Sequence, residues 1–221
     1  MGKRSYPRSW GKWFEKYCDV YLPDRKEEIC AKADRRYTEL LTQMPDMGGR
    51  ENGMIKNFDT WFTMVAFYDA SDHVIDGEAF QIIYNWSIDG IRFLGKIIDG
   101  NKSKLVYKLF AKVYDKYEKD LREHRAKGEW TDSWDVEINP EHRTEGYSFH
   151  LIGCPIAKHA KKYGYEELLP YLCRTDHILT EVLHARLIRT KTEILGGDCC
   201  DYWYIGDKNP ALEQYKDLER I

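Results

Sequence analysis

The hydrophobic period of this chain changes partway along, and that change restricts its fold more than any other feature. From Trp13 to about Arg125 the apolar residues recur at spacings of three and four: Ile29, Ala33, Tyr37, Leu40, Leu41 and Met44; Met54, Phe58, Trp61, Phe62, Val65 and Tyr68; Val106, Leu109, Val113, Tyr117 and Leu121. Such spacing predicts about five amphipathic helices. The punctuation agrees, with Pro23 and Asp24 at one start, Gly48 and Gly49 at an end, Asp76 as an N-cap, and Gly100 to Ser103 as a separator. Gly90 and Gly95 predict a break in the run from Glu78 to Asp99.

After Gly128 the period shortens to two. Trp134, Val136 and Ile138 alternate, Asn139 and Pro140 mark a turn, and Tyr147, Phe149 and Leu151 alternate again. Cys154 and Pro155 then open a short helix that Gly164 can close, and a second helix is expected from Glu166 to about Leu183. Arg186 to Ile194 and Cys199 to Ile205 read as strands, with Gly196, Gly197 and Asp198 as a hairpin connection. The expected class is α+β: an N-terminal helical region, then a small antiparallel sheet of about four strands packed with helices.

A chain of 221 residues is long enough to bury a core without staples, and it is expected to be a single domain over 1–221. Its parts are a mostly helical half (1–127), an α+β half (128–207) and a tail (208–221). The longest uninterrupted apolar run, Met64 to Tyr68, is far short of the ~20 residues that span a bilayer, so no membrane partner is expected. The opening MGKRSYPRSW does not resemble a secretory signal, and a cytoplasmic location follows as an expectation. In that setting the six cysteines are expected to be thiols, and four of them fall in the last third: Cys154, Cys173, Cys199 and Cys200.

That last third holds a pattern: Cys154; LLPYLCRTD, which includes Cys173 and Asp176; and RTKTEILGGDCCDYWY, which includes Arg189, Thr190, Thr192, Gly196, Gly197, Asp198, Cys200, Asp201 and Tyr202. It resembles the L-2-amino-thiazoline-4-carboxylic acid hydrolase family, whose members end with a Cys-x-x-Asp helix and a Gly-Gly-Asp-x-Cys-Asp-aromatic hairpin. Here Tyr202 stands where Phe is commoner. The resemblance implies hydrolysis of a small cyclic amidine, the namesake reaction opening a thiazoline ring towards a carbamoyl-cysteine. A weaker likeness runs to the vinyl-reductase-type ligand-binding domains and supplies the alternative, a non-catalytic domain that binds a small molecule or metal.

Opening such a ring requires a nucleophile at the amidinium carbon, a proton-handling group and an anchor for the substrate carboxylate. Cys173 and Asp176, three apart, share one helix face. Either a Cys173 thiolate attacks, or Asp176 activates water and holds the cationic amidine. Cys154 stands at a strand-to-helix junction, where amides and the helix dipole can lower a thiol's pKa. Cys200 alternates with Tyr202 and Tyr204 on one face of the last strand, Cys199, Asp201, Trp203 and Ile205 on the other. The resemblance places Cys200 rather than Cys199 at the motif position and includes Asp201; with these, Cys154, Cys173, Asp176 and Cys200 are the candidate catalytic residues, and Arg189, Thr192 and Asp201 the candidate substrate-binding ones. On a regular strand Thr192 would face away from Arg189. His150, His159 and His177 are reserves for proton transfer.

Other chemistries find less support. Structural zinc needs paired Cys-x₂₋₄-Cys or His-x₃₋₅-His units, and the cysteine spacings here do not match, so no metal is expected. The Lys-rich helix near Asn101 to Lys127 interleaves Asp115, Glu118, Asp120 and Glu123 with its lysines, and the net charge is −3, so nucleic acid is not an expected partner. No phosphate loop or dinucleotide fingerprint is present, so no cofactor is implied. A small-molecule substrate is the expected partner, with homo-oligomerisation left open.

Overall fold

A computed structural model describes residues 4–102 and 104–220. Ser103 and the first three residues, which belong to the predicted separator and to the opening segment, lie outside that range. Among the described residues the backbone falls into two compact units, 4–87 and 88–220. Among the described residues, no helix is long and apolar enough to cross a membrane.

The first unit holds α1 (Arg8–Tyr21), α2 (Lys26–Leu41), α3 (Ile55–Ala70) and most of α4 (Gly77–Asp89). Spacings of three and four set the buried faces of α1, through Gly11, Phe14 and Cys18, and of α2, through Ile29, Cys30, Ala33, Tyr37 and Leu40. The run from Trp61 to Tyr68 on α3 is buried all round, which makes α3 the central helix of this unit. Aromatic rings lock the helices together: Phe14 stacks on Phe67 at 4.7 Å and Trp10 on Tyr84 at 5.9 Å. Asp76 caps α4 by accepting from the Ala79 amide at 3.0 Å. Helix α2 ends at Leu41, short of Met44 and of the predicted glycine stop. Helix α4 ends at Asp89, one residue before Gly90, and a 3₁₀ turn follows at Arg92–Lys96, the break that the glycines predict.

The second unit holds α5 (Leu105–Arg125), β1 (Asp135–Ile138), β2 (Tyr147–Ile152), α6 (Pro155–Tyr163), α7 (Leu169–Glu181), β3 (Ala185–Ile188) and β4 (Cys200–Gly206). The four strands form one sheet in the order β1-β2-β4-β3, every neighbouring pair antiparallel. The α+β class is thus the observed one. Register places Leu151 opposite Cys200, Phe149 opposite Tyr202 and Tyr147 opposite Tyr204, so these side chains share one face. Helix α5 covers that face, with Phe110 stacked on Tyr204 at 4.6 Å and Tyr114 on Phe149 at 3.8 Å. Pro155 starts α6, and Gly164 ends it in the left-handed conformation (φ 80°).

One boundary differs from expectation. Strand β3 stops at Ile188, whereas the β-branched pattern ran on to Ile194. The Lys191 amide donates to the Asp201 side chain, and a 3₁₀ turn forms at Glu193–Leu195. The β3–β4 connection is therefore an eleven-residue loop, 189–199, rather than a tight glycine hairpin. The tail likewise contains a 3₁₀ turn, Pro210–Tyr215.

Candidate functional site

The loop 189–199, the start of α6 and one face of α7 bring their polar side chains together on the helix-covered face of the sheet. Arg189 lies at the centre. Its Nη1 donates to Asp176 Oδ2 at 3.1 Å and its Nη2 to the Cys173 carbonyl at 2.9 Å. Its guanidinium also lies 5.2 Å from the Tyr202 ring centroid. Tyr202 in turn donates its hydroxyl to Asp176 Oδ2 at 3.3 Å and stacks on Phe149 at 4.8 Å with the rings nearly parallel. Phe149, fully buried, continues the stack to Tyr114, giving a column of three rings whose Tyr202 end meets the Asp176 carboxylate.

Asp176 is enclosed but not sealed. Burial raises its pKa, while Arg189 and the Tyr202 hydroxyl pull it down. Its side chain nonetheless keeps 39% of its exposure, against 1% for Arg189, so the carboxylate is ringed by protein with one side open to solvent. Burial also drives the Tyr202 phenol well above its ordinary value, which keeps it an O–H donor. A carboxylate so placed can accept a proton or bind a cation.

The three cysteines are close enough to influence one another's ionisation, with Cys173 sensing Cys154, Asp176 and Cys200. Cys154 caps α6, its Sγ accepting from the Ala157 amide at 3.4 Å. The lowered pKa expected at a helix N-terminus is not realised. Burial pushes the Cys154 thiol up to about 12, against the pull of the Ala157 amide. Part of the reason lies in Glu193, whose carboxylate accepts from the Gly153 and Cys154 amides, the latter at 2.8 Å, and so sets a negative charge beside that sulfur. Burial raises the Cys173 thiol too, with Arg189 opposing. Cys200 Sγ accepts from the Glu193 amide at 3.4 Å and sits 3.5 Å from Thr192 Oγ1; burial raises this thiol as well.

The structure thus gathers Cys154, Cys173, Asp176, Cys200, Arg189 and Thr192. Thr192 joins the same side as Arg189 because residues 189–192 are not a strand, and the alternation that would have separated them does not apply. Asp201 is not brought to the cluster. It faces the other side of β4, where its carboxylate accepts from Thr190 Oγ1 and the Lys191 amide, both at 2.6 Å. Arg189 is a buried fork tied to Asp176 and the Cys173 carbonyl, not a free anchor for a substrate carboxylate. His150 is on the outer face, bonded to Glu141 and 3.6 Å from Cys199 Sγ, and His159 packs against the tilted ring of Tyr163. Glu193, Tyr114 and the Tyr202 hydroxyl are participants that the sequence reading missed; the one available signal was an acidic residue, Glu193, inside a supposed β-branched strand. Among the described residues, no group of three or more His, Cys, Asp or Glu side chains is arranged to hold a metal ion.

No curated protein and no solved structure matches the chain. The model of one family does match, over residues 56–204, a stretch that includes the whole cluster. Its description names a hydrolase of L-2-amino-thiazoline-4-carboxylic acid. The chain belongs to the L-2-amino-thiazoline-4-carboxylic acid hydrolase family.

Proposed function

We propose that this protein hydrolyses a small cyclic amidine, opening a 2-aminothiazoline-4-carboxylate-like ring by adding water at the amidinium carbon. The observation that carries this reading is the solvent-open Asp176 carboxylate, held by Arg189 and Tyr202 at the end of an aromatic stack. A carboxylate that is held in place yet reachable from solvent can partner a cationic amidine, for which a passive apolar pocket makes no provision.

The chemistry follows from the protonation states. Raised thiol pKa values keep Cys154 and Cys173 neutral near pH 7, which disfavours either as the attacking group. An aspartate whose pKa is shifted upwards is better matched to general-base work than a free one. In this route Asp176 takes a proton from water as its oxygen bonds to the amidinium carbon. The ring C–S bond then breaks as the added hydroxyl becomes the carbamoyl C=O and gives up its remaining proton to solvent, and Asp176 returns the first proton to the departing sulfur, leaving a carbamoyl group and a free thiol. Arg189 and Tyr202 orient the carboxylate, the half-buried Tyr202 ring, backed by the buried Phe149, offers a surface to the flat ring, and the Thr192 hydroxyl and the three thiols line the cluster.

The test is turnover of 2-aminothiazoline-4-carboxylate and a panel of cyclic amidines, hydantoins and lactams, read by mass spectrometry as gain of one water with appearance of a thiol. Ring opening of an amidine supports the proposal. Binding without turnover across the panel would make the non-catalytic ligand-binding domain the better account.

A further inference from the structure

Gly153 and Cys154 present two successive amide hydrogens to one point, because Gly153 takes a positive φ of 74° that an L side chain rarely adopts. Consecutive amides in this arrangement make an anion cradle. Here the chain fills the cradle itself with the Glu193 carboxylate, one oxygen on each amide. The same residue's own amide donates to Cys200 Sγ at 3.4 Å. Through two ends of one residue, the loop after β3 is fastened both to the start of α6 and to the first residue of β4.

We infer that Glu193 is a positioning residue of the hydrolytic site: its carboxylate fixes the Gly153–Cys154 backbone, its amide fixes the Cys200 sulfur, and its negative charge stands beside the Cys154 thiol. This rests on the hydrolase reading for its catalytic consequence only; the geometry stands without it. The group most affected is Cys154, which faces Glu193 from the loop, Cys200 from β4 and Cys173 from α7. The Ala157 amide and the Trp134 side chain hydrogen-bond its sulfur, and the Lys158 ammonium lies beside Gly153. A carboxylate filling the amide cradle opposes the thiolate that these donors would favour. A thiolate in the cluster would compete with Asp176 for a cationic substrate and would be exposed to alkylation and oxidation, so a charge that adds to burial in keeping Cys154 neutral serves water attack.

The test uses the full chain with Glu193→Gln and Glu193→Asp. The first readout is the rate of iodoacetamide labelling of Cys154 against pH, followed by peptide mass spectrometry, which needs no substrate. The Gln variant should label Cys154 about threefold faster or more at pH ~8.5, equivalent to roughly half a pKa unit. The Asp variant keeps the charge but is too short to reach both amides, and should label nearly as wild type. The second readout is ring opening: both variants should lose about tenfold in kcat with KM little changed, since a shift in a positioned group costs rate before binding. A folded Gln variant with the wild-type labelling profile would overturn the electrostatic part. An Asp variant with wild-type kcat would overturn the positioning part, including where the Gln variant does not fold. Absence of turnover by the wild type would count against the hydrolase reading, leaving the labelling result to decide the role of Glu193.

Discussion

The two units of this chain bury different things. In residues 4–87 the interior is rings and aliphatic groups, among them Trp61, Phe14, Phe58, Phe62 and Phe67, and the buried polar residues Asn52, Thr63 and Ser71 bond to backbone within five positions of themselves. In residues 88–220 the buried polar groups include Arg189 and Thr192, and the bonds of Arg189 reach thirteen and sixteen positions along the chain. Local polar bonds finish secondary structure, whereas a buried charge tied to a distant element holds two elements in a fixed relation, which is what a site requires. The cysteines divide in the same way. Cys18 and Cys30 hydrogen-bond to each other between α1 and α2, while Cys154, Cys173 and Cys200 lie around the half-buried Arg189–Asp176 ion pair.

The comparison predicts effects that separate activity from stability. The largest is Asp176→Asn, expected to reduce kcat by about 10³-fold, worth about 4 kcal/mol of barrier, in steady-state assays of folded protein. Next is Phe14→Ala in the helical unit, expected to lower unfolding free energy by about 3–5 kcal/mol in urea titration while kcat per folded molecule is unchanged. Arg189→Met should destabilise by about 1–2 kcal/mol, because it removes the buried partner of a pair whose carboxylate is partly screened by solvent. It should also shift the pH profile. Arg189 favours the charged form of Asp176, so its loss raises that pKa further, and the acid limb of kcat/KM moves to higher pH. The smallest effects are Cys154→Ala and Cys173→Ala, expected to keep kcat within about threefold under water attack. Complete loss of turnover in either would replace Asp176-assisted water with a covalent route.

Much of this was legible in the sequence. The spacing of Ile29, Ala33, Tyr37 and Leu40 and the alternation of Tyr147, Phe149 and Leu151 gave the helices and strands, because burial of one face imposes a period on the residues themselves. Gly164 and Asp76 marked helix ends because their backbone and side-chain roles are local. The loop 189–199 was not legible. Thr190, Thr192 and Ile194 alternate like a strand, but the bonds of Thr190 and Lys191 to Asp201 divert the backbone from the ladder. The site was half legible for the same reason: Cys173 and Asp176 are joined by helix geometry, whereas the convergence of Arg189, Tyr202 and Glu193 depends on a tertiary path that no local spacing encodes.

The central claim is that the Asp176 carboxylate does chemistry and is not merely buried. Asp59 on α3 is the natural control, since burial raises its pKa too and Tyr37 hydrogen-bonds it at 3.2 Å, within the helical unit. The decisive measurement is the ring-opening rate of Asp176→Asn beside that of Asp59→Asn, each normalised to folded protein. The account predicts that Asp59→Asn retains wild-type kcat while Asp176→Asn loses about 10³-fold; equal rates in the two variants would contradict it.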